Sequence, residues 1–268
     1  MWLCKLHTQT FRIHLSDISV SPKSASIPKE ALDLSNIPEE YHDFADVFSK
    51  AKAEKLALHR PYDLKINLEE GTSPPIIPMY PLSQSELEVL RNFLDDHLWT
   101  RFIHQTYSSH NAPVIFALKK DKTLRLCIDF RGLNKIIKKD WYPLPFISDL
   151  LTTVGKACIY TTIDLRHAYH FVQIVDGDEW KTAFQTCYGS FEWLVMPFGL
   201  TNAPTAFQHF MNDIFSDLLD ISVIIYLDDI LIYSNNPADH KKHVREVLRH
   251  LRENGLYARW WTGSTSGT

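Results

Sequence analysis

The stretch that predicts the centre of the fold is Ile221-Ser222-Val223-Ile224-Ile225-Tyr226-Leu227-Asp228-Asp229-Ile230-Leu231-Ile232-Tyr233. Two runs rich in β-branched and aromatic residues, 221–227 and 230–233, flank two adjacent acids. This pattern predicts two β-strands joined as a hairpin, with Asp228 and Asp229 at the turn. Aspartate is common in turns because it tolerates their backbone angles, so the two acids alone also fit a purely structural role.

A third acid, Asp164, stands alone within another strand-like run, Ile159–Leu165. Hard divalent cations require oxygen ligands, which clustered carboxylates supply. Two Mg²⁺ ions about 4 Å apart would stabilise both the attacking and the leaving oxygen of an in-line phosphoryl displacement. The three acids therefore indicate a candidate two-metal site, provided that the fold brings the two runs together.

The other patterns mix helices and strands without regular alternation, which favours an α+β fold. Ser83-Gln84-Ser85-Glu86 is a capping box, and the leucines that follow it share one helix face. Two further runs, 113–118 and 124–130, predict a hairpin with basic residues at its tip. Later helices are predicted to begin at Asn202 and at Pro237.

The composition is that of a globular protein, since 45% of the 268 residues are hydrophobic and only 9 are glycine. The longest apolar run, 221–227, is far too short to span a bilayer, and the N-terminus lacks the pattern of a secretion signal. We therefore expect no membrane partner and an intracellular location, in the cytoplasm or nucleus.

The net charge of −4 does not indicate nucleic acid, but residues 119–139 carry eight Lys or Arg against two Asp.

Six blocks of the sequence resemble, in the right order, those of reverse transcriptases from gypsy-type long-terminal-repeat retrotransposons. They are 124–135 (LRLCIDFRGLNK), 142–145 (YPLP), 163–170 (IDLRHAYH), 179–184 (EWKTAF), 193–208 (WLVMPFGLTNAPTAFQ) and 226–231 (YLDDIL). The resemblance implies a right-hand polymerase fold, in which fingers and palm subdomains share an antiparallel palm sheet packed on helices. It also implies RNA-directed DNA polymerase activity, in which a primer 3′-hydroxyl attacks the α-phosphorus of a deoxynucleoside triphosphate.

The resemblance assigns roles to the acids and to the basic hairpin. Asp164 and Asp228 would bind two Mg²⁺ or Mn²⁺ ions, and Asp229 would support the site from the same turn. Lys119 and Arg125 would contact the triphosphate of the incoming nucleotide, which suits their chemistry because phosphate oxygens attract Lys charges and bidentate Arg. A solvated hairpin tip remains the alternative for Lys119.

Further roles implied by the resemblance concern the sugar, the nucleotide pocket and the template. Tyr169 would lie under the sugar and exclude a 2′-hydroxyl, so that deoxynucleotides are selected. Gln208 would lie on the helix that lines the nucleotide pocket. Asp129, Arg131 and Asn134 would lie near the template strand.

The resemblance divides the chain into three parts. Residues 1–75 are expected to be a leader or linker, residues 76–258 the fingers and palm, and residues 259–268 a tail that replaces the thumb. The expected partners are an RNA or DNA template with its primer and a deoxynucleoside triphosphate; the oligomeric state stays open. The alternative is a catalytically silent relic or a nucleic-acid-binding module that keeps the palm fold, because a missing thumb would weaken the hold on template and primer.

Single positions depart from the family pattern. The resemblance implies glycine where Lys122 stands and arginine where Trp141 stands. Lys181 fits either a functional role or a structural one in which an acid caps it, and the sequence does not decide between them.

Overall fold

The computed structural model describes residue 34, residues 36–143, residues 150, 152 and 155, and residues 157–260. The chain divides into two units, Met1–Ala31 and Leu32–Thr268, and every described residue lies in the second. The Ser/Pro-rich stretch 21–28, the end of the YPLP block and the tail residues 261–268 lie outside the described residues.

The described strands and helices follow one another irregularly. In chain order the strands are β1 (Ile103–Gln105), β2 (Ala112–Leu118), β3 (Leu124–Ile128), β4 (Ile159–Leu165), β5 (Phe184–Thr186), β6 (Gly189–Trp193), β7 (Val223–Tyr226), β8 (Asp229–Ser234) and β9 (Ala258–Trp260). The α-helices are α1 (Lys50–Ala53), α2 (Gln84–Trp99), α3 (Arg131–Asn134), α4 (Ala203–Ile214) and α5 (Pro237–Glu253), and 3₁₀ helices cover Glu39–Phe48, Ala168–Phe171 and Glu179–Thr182. None of these described helices has the length and apolar character needed to cross a bilayer. The irregular order confirms the predicted α+β class.

The first sheet has the strand order β1-β6-β5-β2-β3. Strands β2 and β3 form the predicted antiparallel hairpin, with Leu118 opposite Leu124 next to its tip. The turn places Lys122 at φ 66°, a left-handed angle that favours glycine, which explains why the resemblance implies glycine there. The Asp121 carboxylate accepts hydrogen bonds from the N–H and the hydroxyl of Thr123 at 3.0 and 2.6 Å, so the turn is stabilised without glycine.

Helix α2 begins at the predicted capping box. The Glu86 carboxylate accepts a hydrogen bond from the Ser83 N–H at 2.7 Å, and the Ser83 hydroxyl oxygen accepts one from the Glu86 N–H at 3.4 Å. Leu90 and Leu94 are buried on one face of the helix, which packs against β1 and β3. Both the cap and the apolar face are confirmed.

The second sheet, with the order β7-β8-β4-β9, places the acidic hairpin beside the strand that carries Asp164. Strands β4 and β8 pair in antiparallel register, from Ile159 opposite Ser234 to Asp164 opposite Asp229. Helix α4 packs against β7, and helix α5 packs against β8. The two helices contribute apolar side chains at helical spacing to the core, namely Phe207, Phe210, Met211, Val244, Val247, Leu248 and Leu251.

The turn of the β7–β8 hairpin lies earlier than the sequence predicts. Tyr226 pairs with Asp229, so Leu227 and Asp228 form the loop and Asp229 is the first residue of β8. Favoured two-residue hairpin loops have a positive φ at their first position, which matches the twist of the strands, and Leu227 adopts φ 55°. The prediction assigned Leu227 to the strand because its side chain is apolar.

Part of the segment predicted to be a leader or linker packs into the hydrophobic core. The 3₁₀ helix Glu39–Phe48 contributes Tyr41, Phe44, Val47 and Phe48 to the same hydrophobic core as the second sheet, which corresponds to the expected palm sheet. Its acids meet basic residues of α5 in three ion pairs, Lys241–Glu40, Arg245–Asp43 and Arg252–Asp46. The charges of this segment therefore complement a neighbouring helix, whereas the sequence analysis assigned them to a separate segment.

The two residues that follow the predicted boundary at residue 258 belong to a strand. Strand β9 continues through Arg259 and Trp260, and it pairs along β4 with Arg259 opposite Asp164. The Trp260 ring stacks on the Tyr41 ring with centroids 5.4 Å apart. Arg259 and Trp260 therefore form part of the palm sheet.

The contacts of Lys181 favour the structural role that the sequence left open. Its ammonium group pairs with the Asp178 carboxylate and donates a hydrogen bond to the Ile66 carbonyl at 2.8 Å. Asp178 also accepts a hydrogen bond from the Ile66 N–H at 2.7 Å. Both charged side chains are only 14% exposed, so the pair holds the Ile66 segment against the 3₁₀ helix Glu179–Thr182.

Replacing Lys181 by Met should lower the free energy of unfolding by about 3 kcal/mol, because Asp178 then loses its cation in a mostly buried position. Urea denaturation followed by circular dichroism measures the change. Lys242→Met, at an exposed position of α5, is the control and should change stability by less than about 0.5 kcal/mol. Equal midpoints for the two variants would contradict the structural role of Lys181.

Candidate active site

Three carboxylates meet at one end of the palm sheet. Asp164 on β4 lies directly opposite Asp229 on β8, and directly opposed residues project from the same face of a sheet. Asp228 lies in the adjoining turn, where its backbone carbonyl accepts a hydrogen bond from the Leu165 N–H at 3.1 Å. The fold therefore brings together the three acids that the sequence singles out.

Burial and neighbouring charge raise the pKa values of two of the acids, Asp164 and Asp229. Burial first and the Asp228 carboxylate second raise the pKa of Asp164 above the usual aspartate value; Asp229 acts in the same direction, whereas Arg259 and Arg166 oppose the shift. Burial and then Asp228 likewise raise the pKa of Asp229. Shifts of this kind arise when like charges are held close together in a partly dehydrated site.

The donor chemistry of this site fits Mg²⁺ or Mn²⁺, which prefer carboxylate oxygens. Among the residues that the structure describes, no three His, Cys, Asp or Glu side chains converge closely enough to enclose an ion by themselves. Mg²⁺ is commonly held by one or two carboxylates, with water and substrate phosphates as the remaining ligands. Asp164 and Asp228 suit this arrangement, because Asp228 exerts the largest charge effect on Asp164.

The Gln208 side chain holds the turn that carries Asp228. Its amide oxygen accepts a hydrogen bond from the Leu227 N–H at 2.9 Å, and its amide nitrogen donates to the Ile225 carbonyl at 3.1 Å and to Asn212 at 2.8 Å. Gln208 is 1% exposed. The amide is bonded to the hairpin and to α4, so Gln208 positions the turn. Its expected place on the helix that lines the nucleotide pocket stays a prediction.

Tyr169 lies near Asp228 and packs against Phe198, whose ring lies beside Arg125 of the basic hairpin. Burial first and the nearby Asp228 second raise the pKa of Tyr169. The Tyr169 and Phe198 ring centroids lie 4.6 Å apart, and the Arg125 guanidinium lies 5.6 Å from the centroid of the Phe198 ring. Phe198 therefore lies between Tyr169 and Arg125, and Tyr169 lies near enough to Asp228 for that acid to affect its pKa.

Lys119 and Arg125 line one cleft of about 630 Å³ that α2, β3 and the loop before α4 enclose. His167, Phe198 and Gly199 line the same cleft. Its volume lies within the range of small-molecule sites, and its two cationic groups match the charge of phosphate. The structure thus brings both predicted triphosphate contacts into one cleft.

Asp129 and Arg131 form a bonded pair. The Asp129 carboxylate accepts hydrogen bonds from Arg131 Nε at 2.9 Å and from Nη2 at 2.6 Å, and these bonds lower the pKa of Asp129. Asp129 is 6% exposed, whereas the Arg131 side chain is 79% exposed. This acid holds Arg131 in place, and the Arg131 side chain faces the solvent. A place of Asp129 and Arg131 near the template strand stays a prediction.

Asn134 also has internal partners for its side chain. Its amide nitrogen donates a hydrogen bond to the Gly199 carbonyl at 2.7 Å, and its amide oxygen accepts one from the Thr201 N–H at 2.9 Å. These bonds tie α3 to the loop that presents Phe198 to the cleft. The contacts give Asn134 a positioning role, and its expected place near the template strand stays a prediction.

Three residues at the site have no role in the sequence analysis, namely Phe198, His167 and Arg259. Phe198 is 48% exposed and lies in one of the family blocks, so its position gave a usable signal. His167 adopts φ 51° and lines the cleft, which no sequence pattern indicates. Arg259 reaches Asp164 only because β9 pairs with β4, a contact between residues far apart in the chain.

Comparison with known proteins identifies relatives of this arrangement. Residues 117–260 match the family described as reverse transcriptase (RNA-dependent DNA polymerase). The transposon Tf2-3 polyprotein of Schizosaccharomyces pombe is 35% identical over 240 residues, which are 89% of this chain and 18% of the polyprotein. The Tf2-7 polyprotein of the same organism is 34% identical over the same length. The chain therefore spans 18% of the length of these relatives.

Solved structures share the fold. The crystal structure of Prototype Foamy Virus Protease-Reverse Transcriptase (a selenomethionine-labelled mutant) has a TM-score of 0.72 and 21% identity, over 81% of this chain and 29% of that chain. A foamy viral protease-reverse transcriptase in complex with double-stranded DNA has a TM-score of 0.69 and 23% identity, over 82% and 39% of the two chains. These likenesses confirm the right-hand polymerase fold.

Because the family match covers more than half of the sequence, the chain belongs to the reverse transcriptase family, as its six blocks predict.

Proposed function

We propose that this chain is the fingers and palm of an RNA-directed DNA polymerase, which adds deoxynucleotides to a primer on an RNA or DNA template. The observation that carries the proposal is the meeting of Asp164, Asp228 and Asp229 beside a cleft with cationic groups. Clustered acids alone could bind a structural ion, and a cationic cleft alone could bind many anions. Their connection through Tyr169 and Phe198 supports one site for metal ions and triphosphate.

Asp164 and Asp228 would hold two Mg²⁺ or Mn²⁺ ions, and Asp229 would support them from the first residue of β8. When bound, the ions stabilise the charge that develops on the attacking and leaving oxygens. The task of the chain is to hold the carboxylates close together before the substrate binds. The β4–β8 hydrogen bonds and the Gln208 amide supply this preorganisation.

Lys119 and Arg125 would bind the triphosphate, Lys119 as a mobile point charge and Arg125 as a planar donor of paired hydrogen bonds. The primer 3′-oxygen then forms its bond to the α-phosphorus while the bond to the pyrophosphate oxygen breaks. The leaving pyrophosphate stays among the cations of the cleft. Catalysis thus comes mainly from the positioning of the reactants and from charge stabilisation.

The proposed nucleic-acid partner is supported by relatives and by the surface charge of the chain. One foamy viral protease-reverse transcriptase structure, with a TM-score of 0.67 to this chain, is a complex with an RNA/DNA hybrid, and another contains double-stranded DNA. In this chain, the exposed Arg131 side chain belongs to the basic stretch 119–139. Such cations bind a phosphate backbone by releasing its counterions, so binding should weaken as salt increases.

Asp164→Asn and Asp228→Asn should each lower primer extension about a thousandfold, because an ion that stabilises the transition state contributes several kcal/mol. Extension of a labelled DNA primer on an RNA template with Mg²⁺ measures the loss. Asp95→Asn, at an exposed acid of α2, has the same charge change and should leave the rate unaltered.

Two results would decide against this proposal. Extension that survives either active-site substitution would exclude the acids from the chemistry. Template binding without extension by the unaltered chain would favour the nucleic-acid-binding module.

Tyr169→Ala should raise the incorporation of ribonucleotides relative to deoxynucleotides by roughly tenfold or more, because it removes the ring expected to block a 2′-hydroxyl. The ratio of kcat/KM for the two nucleotides measures the effect. Tyr169→Phe keeps the ring against Phe198 and Phe207, so it should keep the discrimination. Equal ratios for the Ala and Phe variants would contradict the proposed role of the ring.

Asp164→Asn should raise the stability of the metal-free chain at neutral pH. Burial and Asp228 raise the pKa of Asp164, so the folded chain binds the proton more tightly than the unfolded chain. The stability linked to this proton is fully present below the ordinary aspartate pKa and is lost as pH rises through the folded pKa. The amide mimics the protonated acid, and the advantage of the variant should therefore disappear near pH 4 or below.

The midpoints of urea unfolding of Asp164→Asn and of the unaltered chain, measured at neutral pH and near pH 4 with a chelator present, test this prediction. Asp95→Asn serves again as the control and should show no such pH-dependent difference. An Asp164→Asn variant that is less stable than the unaltered chain at neutral pH would contradict it.

A further inference from the structure

The indole ring of Trp141 is exposed to solvent and follows two exposed lysines, Lys138 and Lys139. Trp141 is 85% exposed, and it follows Lys138, Lys139 and Asp140, whose side chains are also exposed. The family resemblance implies arginine at this position, so a cation is replaced here by the largest aromatic side chain. A flat apolar ring next to ammonium groups has the two components of a single-strand binding site, a stacking surface and phosphate contacts.

The backbone before Trp141 is held on both sides. The Lys138 N–H donates a hydrogen bond to the Asn67 carbonyl at 2.8 Å, and the Asn202 amide donates to the Lys138 carbonyl at 2.9 Å. The Asp140 N–H donates to the Asn202 amide oxygen at 3.1 Å. Trp141 therefore extends from a fixed backbone, which lowers the entropy lost when a ligand binds.

The residue after Trp141 is anchored as well. The Tyr142 ring stacks on His209 with centroids 4.9 Å apart, and its hydroxyl accepts a hydrogen bond from the Asn212 amide at 2.9 Å. Because both neighbours of Trp141 are anchored to helix α4 or its N-cap, the exposure of the indole is a property of the fold.

Hydrogen bonds connect this surface to the acidic turn. Tyr142 bonds to Asn212, Asn212 accepts from Gln208, and Gln208 accepts from the Leu227 N–H beside Asp228. Three side-chain bonds thus separate the residue next to Trp141 from the turn. The surface around Trp141 and the acidic turn are therefore both bonded to side chains of helix α4.

We propose that Trp141 stacks on one unpaired base of a single-stranded nucleic acid, while Lys138 and Lys139 bind the adjoining phosphates. The inference rests on the proposed function for the identity of this strand, the template ahead of the primer terminus. An unpaired base presents its whole face to the ring, whereas a base within a duplex is already stacked on both sides. Asp140 lies between the lysines and the ring and limits the net charge to one positive, so stacking supplies a necessary part of the affinity.

The test measures binding of the full chain to a fluorescent single-stranded RNA, to DNA of the same sequence, and to the duplex. Trp141→Ala should weaken binding of both single strands about fivefold or more, because a stacked base contributes roughly 1–3 kcal/mol, and should change duplex binding less. Trp141→Tyr keeps an aromatic ring and should retain most of the affinity. Trp99→Ala removes another exposed indole, 58% exposed at the end of α2, and should have no effect.

The salt dependence separates stacking from phosphate binding. Trp141→Ala should leave the slope of log affinity against log salt unchanged, whereas a Lys138→Ala/Lys139→Ala chain should reduce it by about 1.4, at roughly 0.7 per phosphate contact on a single strand. The proposal is overturned if Trp141→Ala binds like the unaltered chain, if Trp99→Ala weakens binding equally, or if the unaltered chain binds neither single strand. Binding that depends on Trp141 in a chain that does not extend primers would uphold this inference while the polymerase proposal fails.

Discussion

The arrangement of the acidic turn depends on one buried amide, that of Gln208. Leu227 adopts a left-handed backbone angle, φ 55°, which costs of order 1–3 kcal/mol for a residue with a side chain. The Gln208 amide bonds to the Leu227 N–H and to the Ile225 carbonyl, one on each side of Tyr226. At about 1 kcal/mol each, these bonds offset much of the strain. Without them, the loop would lose the contacts that hold Asp228 next to Asp164.

The same sheet has to hold like charges together, which opposes folding. Burial first and the charge of Asp228 second raise the pKa values of Asp164 and Asp229, so repulsion contributes to both shifts. The strands that carry the acids compensate through their apolar residues, since Ile163 and Ile230, which pair with each other one position further along the strands, are both 0% exposed. Fully burying such side chains contributes roughly 1.5–3 kcal/mol each. The acids therefore lie at the sheet end, where they remain partly accessible, and the interior of the sheet supplies the stability.

Local patterns predicted most of the elements, because strand and helix periodicity and the capping box at Ser83 are encoded by neighbouring residues. They also identified Asp164, Asp228 and Asp229, which the fold brings together. Local patterns did not reveal the partners of Gln208 and Asn134, since each amide bonds to backbone groups that only the folded chain places beside it. The resemblance implies that Gln208 lies on the helix lining the nucleotide pocket and that Asn134 lies near the template strand; the structure adds the bonds that both amides make within the protein.

The edge of the palm sheet explains why residues outside the predicted boundaries matter for the site. Strand β9 brings Arg259 opposite Asp164, and this arginine opposes the rise in the pKa of Asp164. An edge strand of three residues has few hydrogen bonds of its own. Tyr41 and Phe48 of the 3₁₀ helix Glu39–Phe48 pack on Trp260, the last residue of β9. This 3₁₀ helix, which lies in the segment predicted to be a linker, therefore stabilises the strand that places Arg259 beside Asp164.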